Sequence, residues 1–186
     1  AYTYAEVISG YTSFYLGAKS VVPNVTMKVT FTGEWYEESL EKTAAETLIA
    51  AGCKLISQHA DSMGAPKACE TAGIPNVSYN GSTKTACPNT FIVSSRIDWT
   101  PYFKYMIQQT QKGEDIVADW TGTIATGSVV LTEINENAAA AGTAEAIAAA
   151  KAKLQSGELK VFDTDNFTVT VVAGADGKNQ NAVVDA

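Results

Sequence analysis

Few side chains in this sequence have the chemistry for catalysis or metal binding, and their spacing narrows what they can do. His59 is the only histidine, so a Ser-His-Asp or Cys-His site would have to use it. No Gly-x-Ser-x-Gly elbow accompanies it, which disfavours a hydrolase. Its context, Ser57-Gln58-His59-Ala60-Asp61-Ser62, follows a strand pattern and precedes a helix pattern. His59 therefore reads either as a ligand-crevice residue or as a strand-end histidine bonded to backbone. Cys53, Cys69 and Cys87 form no Cys-x-x-Cys pair and fit no zinc spacing. Three is an odd count, so one thiol stays free whether or not Cys69 and Cys87 pair. No glycine-rich phosphate loop follows a strand. These features disfavour an enzyme, and neither a cofactor nor a metal is expected.

What remains is chemistry that grips a ligand. Trp35 and Trp99 lie on or beside loops that follow strand patterns. A tryptophan there can stack on a flat ring, worth about 1–3 kcal/mol per base, or pack under its own loop. Asp61 and Asp98 each precede a helix pattern, where aspartate is a preferred N-cap. Either carboxylate can instead accept from a ring N–H, an amino group or a ribose hydroxyl. A carboxylate has two oxygens, so the two roles exclude each other only in part. Ser62 beside Asp61 strengthens that position as a binding candidate.

The elements that must position these residues alternate. Residues 4–19 carry Val7, Ile8, Tyr11, Phe14, Tyr15 and Ala18 at helical spacing. Val25–Thr32 is β-branched and alternating, which predicts a strand. Glu37, Glu38 and Glu41 load the first turn of the next helix. Its inner stripe is expected at Leu40, Ala44, Leu48 and Ala51. Cys53–Gln58 reads as a strand, Asp61-Ser62 precedes a short helix that runs to about Thr71 and is stopped by Gly73, and Ile74–Tyr79 reads as a strand. A loop at Asn80–Thr83 leads to a strand at Thr90–Ser94. Asp98 then caps a helix with Pro101 in its first turn, running to Gln111. Strands and helices joined by short loops mean βαβ units and a parallel sheet. Ligands of such sheets sit beyond the carboxyl ends of the strands, here after Thr32, Gln58, Tyr79 and Ser94. The last third is expected to hold two short strands within Ile116–Ile134, an alanine-rich helix over 138–156, and strands at Glu158–Phe162 and Phe167–Val172. The tail from Gly174 reads as a hairpin end or a poorly ordered terminus.

Length and charge bound the rest. A chain of 186 residues suggests one domain or a little more. It carries 13 basic and 20 acidic residues, a net charge of −7. That argues against nucleic acid as a partner, since phosphate binding needs a basic face. No apolar run approaches the ~20 residues needed to span a bilayer. The chain opens at Ala1 with neither a Met nor a signal-peptide pattern, so its true beginning is expected to have been removed by processing or truncation.

Several local patterns, in order, resemble one family. They are Gly17-Ala18-Lys19-Ser20-Val21-Val22-Pro23-Asn24, the strand pattern ending in Glu34-Trp35-Tyr36, and Gln58-His59-Ala60-Asp61-Ser62. Arg96-Ile97-Asp98-Trp99-Thr100-Pro101-Tyr102 and Ser156-Gly157-Glu158-Leu159-Lys160-Val161-Phe162 complete the set. Over roughly residues 5–165 the chain resembles the basic membrane protein family of ABC-importer substrate-binding lipoproteins, which includes purine nucleoside and nucleobase receptors. The resemblance implies a type I periplasmic-binding-protein fold built of Rossmann-like three-layer αβα lobes, with the N-terminal lobe largely missing here. Residues 1–95 would form the second lobe without its first strand, 96–118 would cross to the first lobe, and 119–186 would supply hinge strands, a return helix and the tail. Segments near 94–98 and 116–128 would bend as the lobes close. The implied ligand is a purine nucleoside or base, with Trp35, His59, Asp61, Ser62, Asn80, Asp98 and Trp99 as ligand-binding candidates. The implied partners are an ABC transporter permease and the missing N-terminal half of the fold or a second chain. The implied location is the periplasmic or extracellular face of the membrane, with a lipid anchor in the full-length protein. A ligand-sensing regulator or receptor domain of the same fold is the alternative. Two positions depart from the nucleoside-binding pattern. Asn80 stands where those members carry an aspartate for ribose, and Ser95-Arg96 stands where they carry a lysine. An uncharged asparagine bonds hydroxyls about half as strongly, which leaves a free base or another small ring in play.

Overall fold

The computed structural model describes residues 1–162 and the backbone of two strands beyond them. The elements are α1 (Ala5–Val21), α2 (Glu38–Ala50), β1 (Ile56–Ser57), α3 (Gly64–Ala72), β2 (Asn76–Tyr79), β3 (Phe91–Ile97), α4 (Thr100–Lys112), β4 (Val129–Leu131), α5 (Thr143–Ser156), β5 (Phe167–Ala173) and β6 (Asn179–Asp185). Residues 163–166, 174–178 and 186 lie outside the described residues, so the tail expectation is met only where β6 pairs antiparallel with β5.

The expected βαβ units form an α/β architecture with a mainly parallel sheet in the order β1-β2-β3-β4. β1 and β2 run parallel with Ile56 opposite Asn76. β2 and β3 run parallel with Tyr79 opposite Ser95. β4 closes the far edge antiparallel, pairing Ser95 with Leu131. A buried asparagine stitches the middle of the sheet. Asn76 is fully buried; its Nδ2 donates to Ile56 O and its Oδ1 accepts from Ser78 Oγ. A buried amide must be satisfied in this way. Asn135 does a similar job, its Nδ2 donating to Pro88 O and Phe91 O.

Helices α2 and α3 cover this sheet through Ala45, Ile56, Ala65, Ala68 and Cys69, with Leu48, Ile49, Cys53 and Ile74 around them. The buried face of α2 is turned by one residue from the expected stripe. Glu41 and Ala45 are buried, whereas Leu40 is 45% exposed. The reason is polar: Glu41 is drawn inward by backbone donors that its carboxylate satisfies. The two helices approach closely because Gly64 has no side chain. A Cβ there would meet the Glu38 carbonyl oxygen and the Lys42 amide nitrogen of α2. Lys67 Nζ and Glu38 Oε1 join the same pair of helices at 2.7 Å. All three cysteines are thiols in this structure, with Cys69 and Cys87 buried. Burial first, then the neighbouring Cys87, pushes the Cys69 thiol up to about 11.

Four sequence expectations are corrected. Val25–Thr32 is no strand, and Val29 and Phe31 remain exposed. β-propensity describes fit to a pleated surface, and a strand also needs a partner ladder; β1 takes its parallel partner from β2 instead. Within Ile116–Ile134 the single described strand is β4, because Thr123–Ser128 closes on itself through Ser128 N–H to Thr123 O at 3.0 Å. The alanine-rich helix starts at Thr143, not 138. Residues 138–139 instead turn onto Asn135, whose carbonyl accepts both their N–H groups. Glu158–Phe162 forms no strand; Leu159 N–H donates to Lys153 O and folds the segment back on the end of α5.

Two outcomes follow. Gly64→Ala forces α3 off α2 and is expected to cost about 1–3 kcal/mol, the usual range for overpacking, read as a lower denaturant midpoint. In the native protein at pH 8, iodoacetamide should label half-exposed Cys53 well before Cys69, because a buried thiol near pKa 11 offers little thiolate. Equal labelling rates would show that α3 does not bury Cys69 as described.

Candidate functional site

A parallel ladder brings the carboxyl ends of neighbouring strands out on one edge, and here that edge opens into a pocket. It holds about 450 Å³ and is lined by Gln58, Asp61, Ser62, Met63 and the segment Tyr79–Thr83. The two segments leave the ends of β1 and β2. Gln58 N–H to Val77 O at 3.3 Å ties the β1 exit to β2, and Asn80 N–H to Ser95 O at 2.8 Å ties the β2 exit to β3.

The β1 side is rigid for reasons that begin in α2. Glu41 is 3% exposed, and its carboxylate accepts from Glu37 N–H (3.2 Å) and Ser62 N–H (3.3 Å). One buried acid thus fixes the start of α2 and the loop after β1. Gln58 Nε2 donates to Ala60 O (3.1 Å) and Ser62 O (3.3 Å) within that loop. Ser62 Oγ accepts from Gly64 N–H at 3.1 Å, opening α3. Ser62, rather than Asp61, thus does the capping at this helix, whose N-cap position is Met63. The Asp61 side chain is exposed at the mouth, while its own N–H donates to Trp35 O at 3.1 Å.

The β2 side presents an aromatic ring and an amide. Burial first, then the negative charges of Asp61 and Glu6, raise the Tyr79 hydroxyl above its ordinary value, so it stays a proton donor at neutral pH. Asn80 has φ 62°, a left-handed conformation that asparagine tolerates better than most residues. Its Oδ1 accepts from Ile97 N–H at 3.4 Å. Among the described residues, Asp61 is the one charged residue lining the pocket. Such a lining can hold a neutral or cationic, hydrogen-bonding ring, and it offers no cation for a phosphate.

Of the expected ligand residues, the structure brings Asp61, Ser62 and Asn80 into this pocket. The other four stand outside its lining. His59 stacks behind Tyr79, ring centroids 4.2 Å apart, and supports the ring from the rear. Helix α1 reaches His59 through Gly10, where a Cβ would come within 2.6 Å of His59 Cδ2. The Trp35 ring packs on Tyr2 and Tyr4 at 5.4 and 5.8 Å, and meets the site only through its carbonyl. Trp99 is 57% exposed and packs against Tyr102 and Phe103. Asp98 caps α4: its Oδ1 accepts from Thr100 N–H at 2.9 Å, and Arg96 Nη2 donates to its Oδ2 at 3.4 Å. Gln58, Met63, Tyr79 and Gly81–Thr83 line the pocket without having been singled out. The strand-end rule would have found Gln58 and Tyr79, since each is the last residue of its strand pattern. No sequence signal marks Glu41, which reads as one of three acids in a helix's first turn.

A parallel-dominated sheet with a pocket across the ends of adjacent strands is an arrangement in which α/β proteins hold small ligands. In fold the chain is similar to an ABC transporter solute-binding protein from Conexibacter woesei, with a TM-score of 0.67 at 21% identity, covering 87% of this chain and 55% of that one. The chain belongs to the Bmp family, ABC transporter substrate-binding protein PnrA-like, whose pattern matches residues 1–182. It is 28% identical over 167 residues to a Haloferax volcanii protein that carries the name ABC transporter glucose-binding protein TsgA13, covering 90% of this chain and 42% of that protein. It is 32% identical over 121 residues to a purine-binding protein of Brucella abortus, covering 63% of this chain and 34% of that protein. The chain thus spans less than half the length of these two relatives. The family and fold expected from the sequence are borne out.

The hydrogen bonds from Thr100, side chain first and then backbone, hold the Asp98 carboxyl below its ordinary 3.8. A carboxyl lowered on folding stabilises above its unfolded pKa, and that stability is lost as pH falls through the lower folded value. The stability difference between wild type and Asp98→Ala should therefore be complete at pH 6 and fade below pH 3.8 in denaturant titrations. A difference that does not change with pH would remove the carboxylate cap.

Proposed function

We propose that this chain captures a purine nucleoside or free purine base as the substrate-binding component of an ABC importer. The observation that carries the reading is the pocket joining Asp61 to Tyr79 and Asn80, which pairs an aromatic ring with an acceptor and an amide and contains no cation. The family membership supports binding and delivery rather than turnover. Among the described residues no cluster of histidine, cysteine or acidic side chains could hold a metal.

In this reading the ring of the ligand lies against Tyr79, whose far face is backed by His59. Asp61 accepts from an N–H or hydroxyl. Asn80 takes the place of a charged ribose ligand, which favours a free base over a nucleoside. Residues 1–95 act as one lobe, 96–118 as a crossover and 119–186 as hinge and return segments. A further polypeptide segment or a second chain supplies the facing lobe, on which Asp98 and Trp99 close. The permease of the importer is the membrane partner, and the full-length protein works at the periplasmic or extracellular face, held by a lipid anchor. No helix among the described residues is long and apolar enough to cross a membrane.

Calorimetry of the full-length protein with adenine, guanine, adenosine, guanosine and glucose tests the reading. A purine should bind, and Asp61→Asn should weaken it by about tenfold, the equivalent of about 1.4 kcal/mol. Trp35→Ala should leave affinity within about twofold, because its ring packs on Tyr2 and Tyr4. Binding of glucose without any purine would move the ligand class to sugars.

A further inference from the structure

Two stretches of backbone suited to a sheet lack a neighbour among the described residues. Val25–Thr32 alternates apolar Val25, Met27, Val29 and Phe31 with polar residues, yet it has no ladder, and Val29 and Phe31 are exposed. β1 stands at one edge of its sheet, paired to β2 alone. Ile56 N–H donates to Pro75 O and Gln58 N–H to Val77 O. By alternation the backbone groups of Leu55 and Ser57 point the other way, out of the open edge. Such an edge is a template for a further strand.

The two open stretches end at one place. Trp35 O, just beyond Val25–Thr32, accepts from Asp61 N–H, just beyond β1, at 3.1 Å. Ala1 stands at that junction. Its carbonyl accepts from Gly33 N–H at 3.2 Å. Its amine is partly buried, with the carboxylates of Glu41 and Asp61 acting on it. Helix α1 leaves from there and packs Tyr11 edge-on against Phe31, ring centroids 6.2 Å apart. The chain then turns at Pro23-Asn24 and enters Val25–Thr32. A helix that carries the chain back to the start of an extended segment is the crossover of a βαβ unit. The first strand of that unit would run parallel to Val25–Thr32 and end at Ala1.

We propose that the segment of the full-length protein leading into Ala1 inserts as a parallel strand between Val25–Thr32 and β1 and pairs with both. The chain covers 42% and 34% of the two relatives named above, so a full-length protein of their size has the polypeptide to supply it. The occupant is an apolar run of about 5–6 residues, rich in Val, Ile and Leu, because a parallel strand with a neighbour on each side is buried on both faces. Insertion turns β1 from an edge strand into an interior one, and so braces the loop that carries Asp61 and Ser62. The proposal stands apart from the ligand, and holds for a purine or a sugar alike. The rival occupant is a second copy of this chain on the β1 edge.

Amide hydrogen exchange followed by NMR on the full-length protein tests it. Ser57 and Leu55 should exchange at least about a hundredfold more slowly than unstructured amides. Met27, Val29 and Phe31 should do the same, since alternation from Gly33 points their N–H groups toward Ala1 and the gap. A through-hydrogen-bond coupling from Ser57 N–H should lead to a carbonyl preceding Ala1. Free exchange at Ser57, or a coupling from it to any residue of 1–186 in the same molecule, overturns the proposal. Protection that disappears when a dimer is diluted to monomer also overturns it and assigns the edge to a second copy. None of these results bears on purine binding, which the calorimetry decides separately.

Discussion

The parallel pairing of β1 with β2 is the constraint on which the rest depends. A parallel ladder requires both strands to point the same way, so Gln58 and Tyr79 leave the sheet at one edge. The connection between them must return along the sheet, and α3 does so. Its N-terminus then lies beside the same edge. The pocket is what remains between the two exits, and its lining comes from the β1 loop and the β2 loop. An antiparallel pairing of these segments would put their ends on opposite sides and leave no such opening.

Holding that edge open requires polar anchors, because loops with free backbone groups would otherwise collapse or fray. Glu41 is the central one. A buried carboxylate is tolerated only where donors meet it, and Glu37 and Ser62 supply two backbone N–H groups. This single acid converts the start of α2 into a support for the loop after β1. Gly64 makes the arrangement possible at short range, since α3 can reach α2 only where no Cβ intervenes. On the other side, the His59 ring fills the space between Tyr79 and Gly10 of α1. The aromatic wall of the pocket is thus set by a helix that contributes nothing to its lining.

The exposed aromatics tell a complementary story. Trp99 and Phe103 stand along α4 with more than half their surface exposed. Trp35 turns instead toward Tyr2 and Tyr4. Two tryptophans in loops before helices therefore meet different fates. Trp35 found local aromatic partners within the chain, and Trp99 found only the neighbours on its own helix.

The sequence alone determined the α/β class, the order of α1 to α4, the glycine stops of α3 and α4, and the place of the candidate pocket at the strand ends. Each of these follows from local periodicity, capping residues or the rule that parallel strands share a direction. That Asp61, Ser62 and Asn80 would come together in a pocket at the strand ends was legible for the same reason. Tertiary structure alone decided that Val25–Thr32 would lack a ladder, because pairing depends on a neighbour and not on propensity. It also decided that α2 would rotate Glu41 inward and that the Gln58 amide would donate within its own loop. Those outcomes depend on which backbone groups distant segments bring together, and no pattern of residue types records that.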